Sequence, residues 1–176
     1  MSESTKQHKA TAPKQLNFAV FVCSTSRYQQ VQKGEKIDDV SGDTIEALLR
    51  NARHRVLSKK IIADNEGMIE EAVHSVLSSA ELDAAVFCGG TGIAPKDITI
   101  EIVSPFFEKT LPGFGEIFRR LTYDKMGSAA VMSRAVAGVA KGKALFCIPG
   151  SPDAVRVSVE RLILPEAPHI VRHTRE

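Results

Sequence analysis

The 176-residue sequence has no apolar run long enough to cross a bilayer, and its basic N-terminal stretch lacks the apolar segment of a signal peptide. These absences make a cytoplasmic location the expectation and leave no membrane partner. An excess of charge of either sign is also lacking. Against 23 Lys and Arg stand 21 Asp and Glu, and a net charge of +2 is too small to suggest a nucleic-acid partner. Cysteine is scarce: Cys23, Cys88 and Cys147 show no CxxC spacing and read as small buried residues at strand ends. The five histidines are read as forming no metal-spaced pair. Two phosphate-binding signatures, GxxxxGK[ST] and GxGxxG, are missing, which excludes a P-loop and a dinucleotide fingerprint. No internal repeat or low-complexity segment occurs.

What is present is ordinary for a single soluble domain: 43% hydrophobic and 25% charged residues, in a chain long enough for one full core. Residues 1–14 are polar, without aromatics, and are expected to form a flexible tail, leaving residues 15–176 as the domain. An apolar run over residues 16–23 reads as a strand covered on both faces. Residues 28–39, Gln- and Lys-rich, read as a long surface loop and a candidate mobile flap. A helix capped by Ser41 or Asp43 follows, with Ile45, Leu48, Leu49, Ala52 and Val56 at helical spacing.

A second strand is expected over residues 56–63. A helix capped by Asp64 or Asn65 comes next, its stripe formed by Ile69, Ala72, Val73, Val76, Leu77 and Ala80. Residues 84–88 form a third strand ahead of Gly89-Gly90-Thr91-Gly92, and a helix is expected over residues 99–107. Phe114, Ile117, Phe118 and Leu121 fall on one helical face, and residues 128–134 read as a short helical piece. Residues 136–140 and 143–148 flank Lys141-Gly142 as a hairpin, which adds one antiparallel strand. Ser151 and Pro152 open a final helix. Alternating strands and helices predict an α/β fold, a three-layer α/β/α sandwich with a mainly parallel sheet.

In such folds ligands bind at the carboxyl ends of the strands. Three small-residue turns, after Cys23, Cys88 and Cys147, would open on that one edge. They offer backbone donors and the hydroxyls of Ser24, Thr25, Thr91 and Ser151 to an anion carrying several phosphates. Asp64 and Asp97 lie at the same edge. Their ordinary reading is helix capping, but beside phosphates two carboxylates point to a bridging Mg²⁺ and to phosphoryl or nucleotidyl transfer. Lys96 and Arg27 are candidates to neutralise charge. Ser133, Arg134 and Glu116 are weaker candidates, each with a structural explanation.

Asp39-Val40-Ser41-Gly42, Asp64, GGTG with Asp97 and Thr99, PGFGEIFR over residues 112–119, Ser133-Arg134-Ala135 and PGSP over residues 149–152 occur together and in order. In this combination the chain resembles the MoaB/MogA family of molybdenum-cofactor biosynthesis proteins, its MoaB members in particular, over residues 16–164. Related domains occur in a plant protein and in animal gephyrin. The resemblance implies an α/β/α sandwich and adenylylation of molybdopterin by ATP with Mg²⁺, releasing pyrophosphate. It implies Asp64 and Asp97 as the catalytic, Mg²⁺-holding pair. By the same likeness the nucleotide and pterin site would draw on Ser24, Thr25, Ser41, Gly42, Gly89, Gly90, Thr91, Gly92, Lys96, Glu116, Ser133, Gly150, Ser151 and Pro152.

A homotrimer or hexamer is implied as well, with hand-over to a MoeA-type metal insertase. The alternative reading is a molybdopterin carrier or an oligomeric scaffold without catalysis. Two departures stand out. Relatives usually have Asp-Ser-Arg where this chain has Thr25-Ser26-Arg27, and Arg-Asp-x-Thr where it has Lys96-Asp97-Ile98-Thr99.

Overall fold

The computed structural model describes residues 13–176, so nearly all of the expected tail lies outside the described residues. Six strands form one sheet in the order β2-β1-β3-β6-β5-β4. They are β1 (Asn17–Cys23), β2 (Arg55–Ile62), β3 (Ala84–Cys88), β4 (Lys109–Thr110), β5 (Val136–Ala140) and β6 (Lys143–Ile148). Strands β2, β1, β3 and β6 run parallel, while β5 pairs antiparallel with β6 from Val136 opposite Cys147 to Ala140 opposite Lys143. The expected hairpin is therefore present. The two-residue β4, which pairs antiparallel with β5, was too short to leave a periodic signal.

Alternation along the central strands sorts the core into two layers. Phe18 and Val20 of β1, Val86 of β3 and Phe146 of β6 face one side, where α2 (Val40–Asn51), α5 (Pro112–Met126), α6 (Pro152–Ser158) and α7 (Leu164–His173) pack. Ala19 and Phe21, Phe87, Leu145 and Cys147 face the other, against α3 (Glu66–Ser78) and α4 (Thr99–Val103). Covering both faces is what a near-continuous apolar strand requires. Each large side chain buried this way stabilises the fold by about 1.5–3 kcal/mol relative to exposure. Between α6 and α7 the helix passes through a single π-helical turn, Val159–Ile163, without leaving the core.

Several boundaries differ from expectation for local reasons. Residues 28–32, read as the start of a flap, belong to α1 (Thr25–Gln32), capped by Ser24, whose hydroxyl accepts from Arg27 N. No residue of α1 is buried, so the helix left no apolar stripe to read, and the loop contracts to residues 33–39. Helix α2 is capped by Asp39 rather than by Ser41 or Asp43, which puts Ser41 and Gly42 in a buried first turn. Asn65 caps α3, with its side chain accepting from Met68 N at 3.2 Å, so Asp64 is released from that duty. The helix expected over residues 99–107 ends as α4 at Val103 and tightens into a 3₁₀ turn containing Pro105.

Candidate functional site

The three strand-end turns touch one another. Gly89 has φ of +103°, which glycine adopts freely, and a Cβ there would collide with the carbonyl oxygen of Cys23. Its N–H donates to Ile148 O at 3.0 Å, tying the β3 turn to the end of β6. A Cβ on Gly150 would stand 3.3 Å from Gly89 Cα. Ser41 closes the ring from α2, its hydroxyl donating to Gly150 O at 2.7 Å. Among the described residues, the N–H groups of Gly90, Thr91 and Gly92 have no protein acceptor. Successive unpaired amides in a glycine turn are what an anionic oxygen needs.

Both aspartates fold onto this turn. Asp64 Oδ2 accepts from Thr25 N and from Thr25 Oγ1, each at 2.8 Å, while Asp64 N donates to Thr25 Oγ1 at 3.0 Å. That reciprocal pair leaves Oδ1 facing Gly90, where a Cβ would stand 2.8 Å from it and collide with Thr99 Oγ1. Thr99 Oγ1 is fully buried and finds no hydrogen-bond partner among the described residues. Asp97 caps no helix: its Oδ2 accepts from Ala94 N at 2.9 Å and lies over Gly92, where a Cβ would come within 2.5 Å. Neither Oδ1 is hydrogen bonded among the described residues.

Mg²⁺ takes one or two carboxylates and fills its shell with phosphate oxygens and water. Two aspartates, each with one uncommitted oxygen and each laid over a side-chain-free glycine of the same amide-rich turn, fit that donor chemistry.

Arg134, a weaker candidate from sequence, holds the turn in place, and two carboxylates without an expected site role, Glu101 and Asp39, complete a set of three further groups near it. Arg134 donates from Nε to Thr91 O at 2.9 Å and forms a two-point pair with Glu101, at 2.6 and 3.1 Å. The guanidinium holds the Glu101 carboxyl below its usual range, so this clamp stays ionised at neutral pH. The third is Asp39. It is only 6% exposed, accepts from Gly42 N at 3.1 Å, faces Arg27 Nη1 at 3.6 Å, and has Oδ2 buried without a partner. Burial pushes its carboxyl above the ordinary range against the pull of Gly42 N–H and Arg27. Its signal in the sequence was its place two residues ahead of Ser41-Gly42.

Other expected site residues are gathered less tightly. Ser133, Ser151 and Pro152 line a cavity of about 540 Å³ with Pro149, Phe118 and Met126. Ser24 spends its hydroxyl capping α1 rather than facing the turn. Lys96 is exposed on the loop before Asp97, and Glu116 is exposed on the second turn of α5; neither joins the hydrogen bonds of the site. The three cysteines are buried thiols, Cys23 and Cys88 pushed up to about 12 by burial, and they offer no thiolate to the chemistry.

Fold and site together define an α/β/α protein with an anion-accepting glycine turn at the carboxyl edge of its sheet and two carboxylates set against it. Comparison with known proteins makes this specific. The family described as "Probable molybdopterin binding domain" matches residues 19–169. Molybdenum cofactor biosynthesis protein B of Bacillus subtilis (strain 168) is 40% identical over 174 residues, 98% of each chain. A protein of Methanocaldococcus jannaschii named "Probable molybdopterin adenylyltransferase" is 40% identical over 93% of this chain and 96% of its own. Among solved structures, the tungsten cofactor synthesizing protein MoaB from Pyrococcus furiosus superposes with a TM-score of 0.82 at 37% identity, covering 94% of this chain and all of that one. The chain belongs to this molybdopterin-binding family of cofactor-biosynthesis proteins.

Proposed function

We propose that the protein adenylylates molybdopterin with ATP in molybdenum-cofactor biosynthesis. The observation that carries the reading is the pair Asp64 and Asp97 laid over Gly90 and Gly92 of one amide-lined turn, in a chain whose relatives include proteins named molybdopterin adenylyltransferase. A site that only held a phosphate would gain nothing from two carboxylates facing it. A site that assembles a nucleotide with a divalent cation needs them.

In this reading the N–H groups of Gly90, Thr91 and Gly92 donate to phosphate oxygens of ATP. The cavity bounded by Ser133, Ser151 and Pro152 receives the pterin. Mg²⁺, when bound, would supply charge neutralisation at the phosphates, held by Asp64 Oδ1 and Asp97 Oδ1. The terminal phosphate of molybdopterin attacks the α-phosphorus, the bond to the leaving pyrophosphate breaks, and adenylyl-molybdopterin results. No protein base is required, because the attacking phosphate is already anionic. Thr25 and Ala94 fix the orientation of the two carboxylates through the bonds given above, and Arg134 fixes the turn through Thr91 O. Lys96, exposed beside Asp97, is long enough to swing towards the α-phosphate as charge develops there.

The test is incubation with molybdopterin, ATP and Mg²⁺ while pyrophosphate release is followed. Stoichiometric release dependent on the pterin is expected. Tight pterin binding with no release in excess ATP and Mg²⁺ would make the protein a carrier instead.

A further inference from the structure

Helix α7 carries the metal-spaced histidine pair that the sequence reading passed over. His169 and His173 stand one helical turn apart with their Nε2 atoms 2.9 Å from each other. Behind each ring lies a carboxylate: Glu166 Oε2 is 3.3 Å from His169 Nδ1, and Glu176 Oε2 is 2.9 Å from His173 Nδ1. An ionised carboxylate only accepts, so each Nδ1 carries the ring proton. With each Nδ1 turned to a carboxylate, the two Nε2 atoms face one another at 2.9 Å, where either a shared proton or a metal ion would sit between them.

Metal–imidazole bonds are about 2.0–2.1 Å. At that length the 2.9 Å separation subtends about 90° at the metal. This is the angle between adjacent ligands in a tetragonal Cu(II) or Ni(II) centre rather than the wider tetrahedral angle of zinc. A carboxylate behind each ring is also the usual support of a metal-bound imidazole, fixing its tautomer and raising its basicity. We infer that His169 and His173 form a two-histidine site for a divalent transition metal of tetragonal preference, Cu²⁺ or Ni²⁺.

Among the described residues no three His, Cys, Asp or Glu side chains group into a metal cage, so the protein supplies two ligands here and leaves the other positions open. Both rings line a cavity of about 290 Å³ with Lys109, Leu111, Val139, Ile170 and Thr174, where water or an exogenous ligand completes the shell. Of the nearby cations, Arg172 is turned onto Glu176 at 2.9 Å, and Lys109 sits across the cavity. The site shares no residue with the glycine turn, so it stands or falls independently of adenylylation.

The test is calorimetric titration of the untagged chain with Ni²⁺ in excess Mg²⁺, which occupies the oxygen donors elsewhere. The parent is expected to bind one Ni²⁺ per chain. His169→Ala and His173→Ala are each expected to weaken this by at least about tenfold, and Glu166→Gln by about tenfold through loss of the supporting carboxylate. Cu²⁺ should give an axial electron paramagnetic resonance signal with two-nitrogen hyperfine structure, reduced to one nitrogen in either alanine variant. The affected side chains lie outside the core, so melting curves should be shared; if one variant fails to fold, the others still decide. Equal Ni²⁺ binding by parent and both alanine variants, or no binding at all, would overturn the site and leave a proton as the only cation between the rings.

Discussion

Asp97 is the residue at which a structural and a chemical explanation part most cleanly. From sequence its ordinary role was a helix cap, but α4 has no side-chain cap, and Asp97 spends one oxygen on Ala94 N. Asn at this position keeps an acceptor for that N–H and loses only the charge. Asp97→Asn is therefore expected to melt like the parent. Pyrophosphate release at saturating ATP should fall by about 10²–10³, the cost of losing one electrostatic contact made in the transition state. Turnover near the parent value would reduce Asp97 to a turn-former. The two aspartates were legible because each ends a strand or a glycine turn. Thr25 was not. Its amide and hydroxyl orient Asp64 from the first turn of a helix that has no buried residue, and nothing local in the sequence points across to position 64.

Among the elements, most of those with a buried face were read correctly, the end of α4 and the proline-containing α7 excepted, and those without one were not. The stripes of α2 and α3 and the all-buried strands β3 and β6 follow directly from periodicity, because burial imposes it. The polar α1 and the two-residue β4 carry no such imprint.

The joints between elements were likewise silent, and one of them is titratable. After α2 the chain turns into β2 at His54, whose Nδ1 accepts from Leu16 N at 3.1 Å and whose ring packs on Phe18. Burial holds the imidazole below its ordinary value, with Asp83 pulling weakly the other way. The unfolded chain therefore binds the proton more readily than the folded one. Stability from this group is complete above the ordinary histidine range, around 6.5, and is lost as pH falls through the lower folded value. Protonation would also turn the acceptor Nδ1 into a donor facing another donor. His54→Asn keeps an acceptor near the same place without titrating. The parent should lose more thermal stability than His54→Asn between pH 7.5 and pH 5, and parallel losses would show that the joint is not the sensitive group.

For the molecule as a whole, the remaining question is what covers the long apolar stretch of surface along α5 and the turn that follows it. The Phe114, Ile117, Phe118 and Leu121 stripe suggested self-association from sequence, but Phe114 and Phe118 are buried in the chain's own core and Leu121 packs against it. Only Ile117 of that set is free, at 52% exposed. It is joined along α5 and the following 3₁₀ turn by Tyr123, Met126, Val131 and Met132, each more than half exposed and none needed by the core. A run of exposed large apolar side chains on consecutive elements marks an interaction face. The family resemblance implies a trimer or a multiple of it. Sedimentation of the parent at micromolar concentration is accordingly expected to give a trimer or hexamer. A Met126→Glu, Val131→Glu double variant should sediment as a lighter species with an unchanged circular dichroism spectrum, since both side chains lie outside the core and burying a charge at a contact costs far more than exposing it. A monomeric parent would remove self-association from the account, and an unshifted double variant in an oligomeric parent would move the contact to another face.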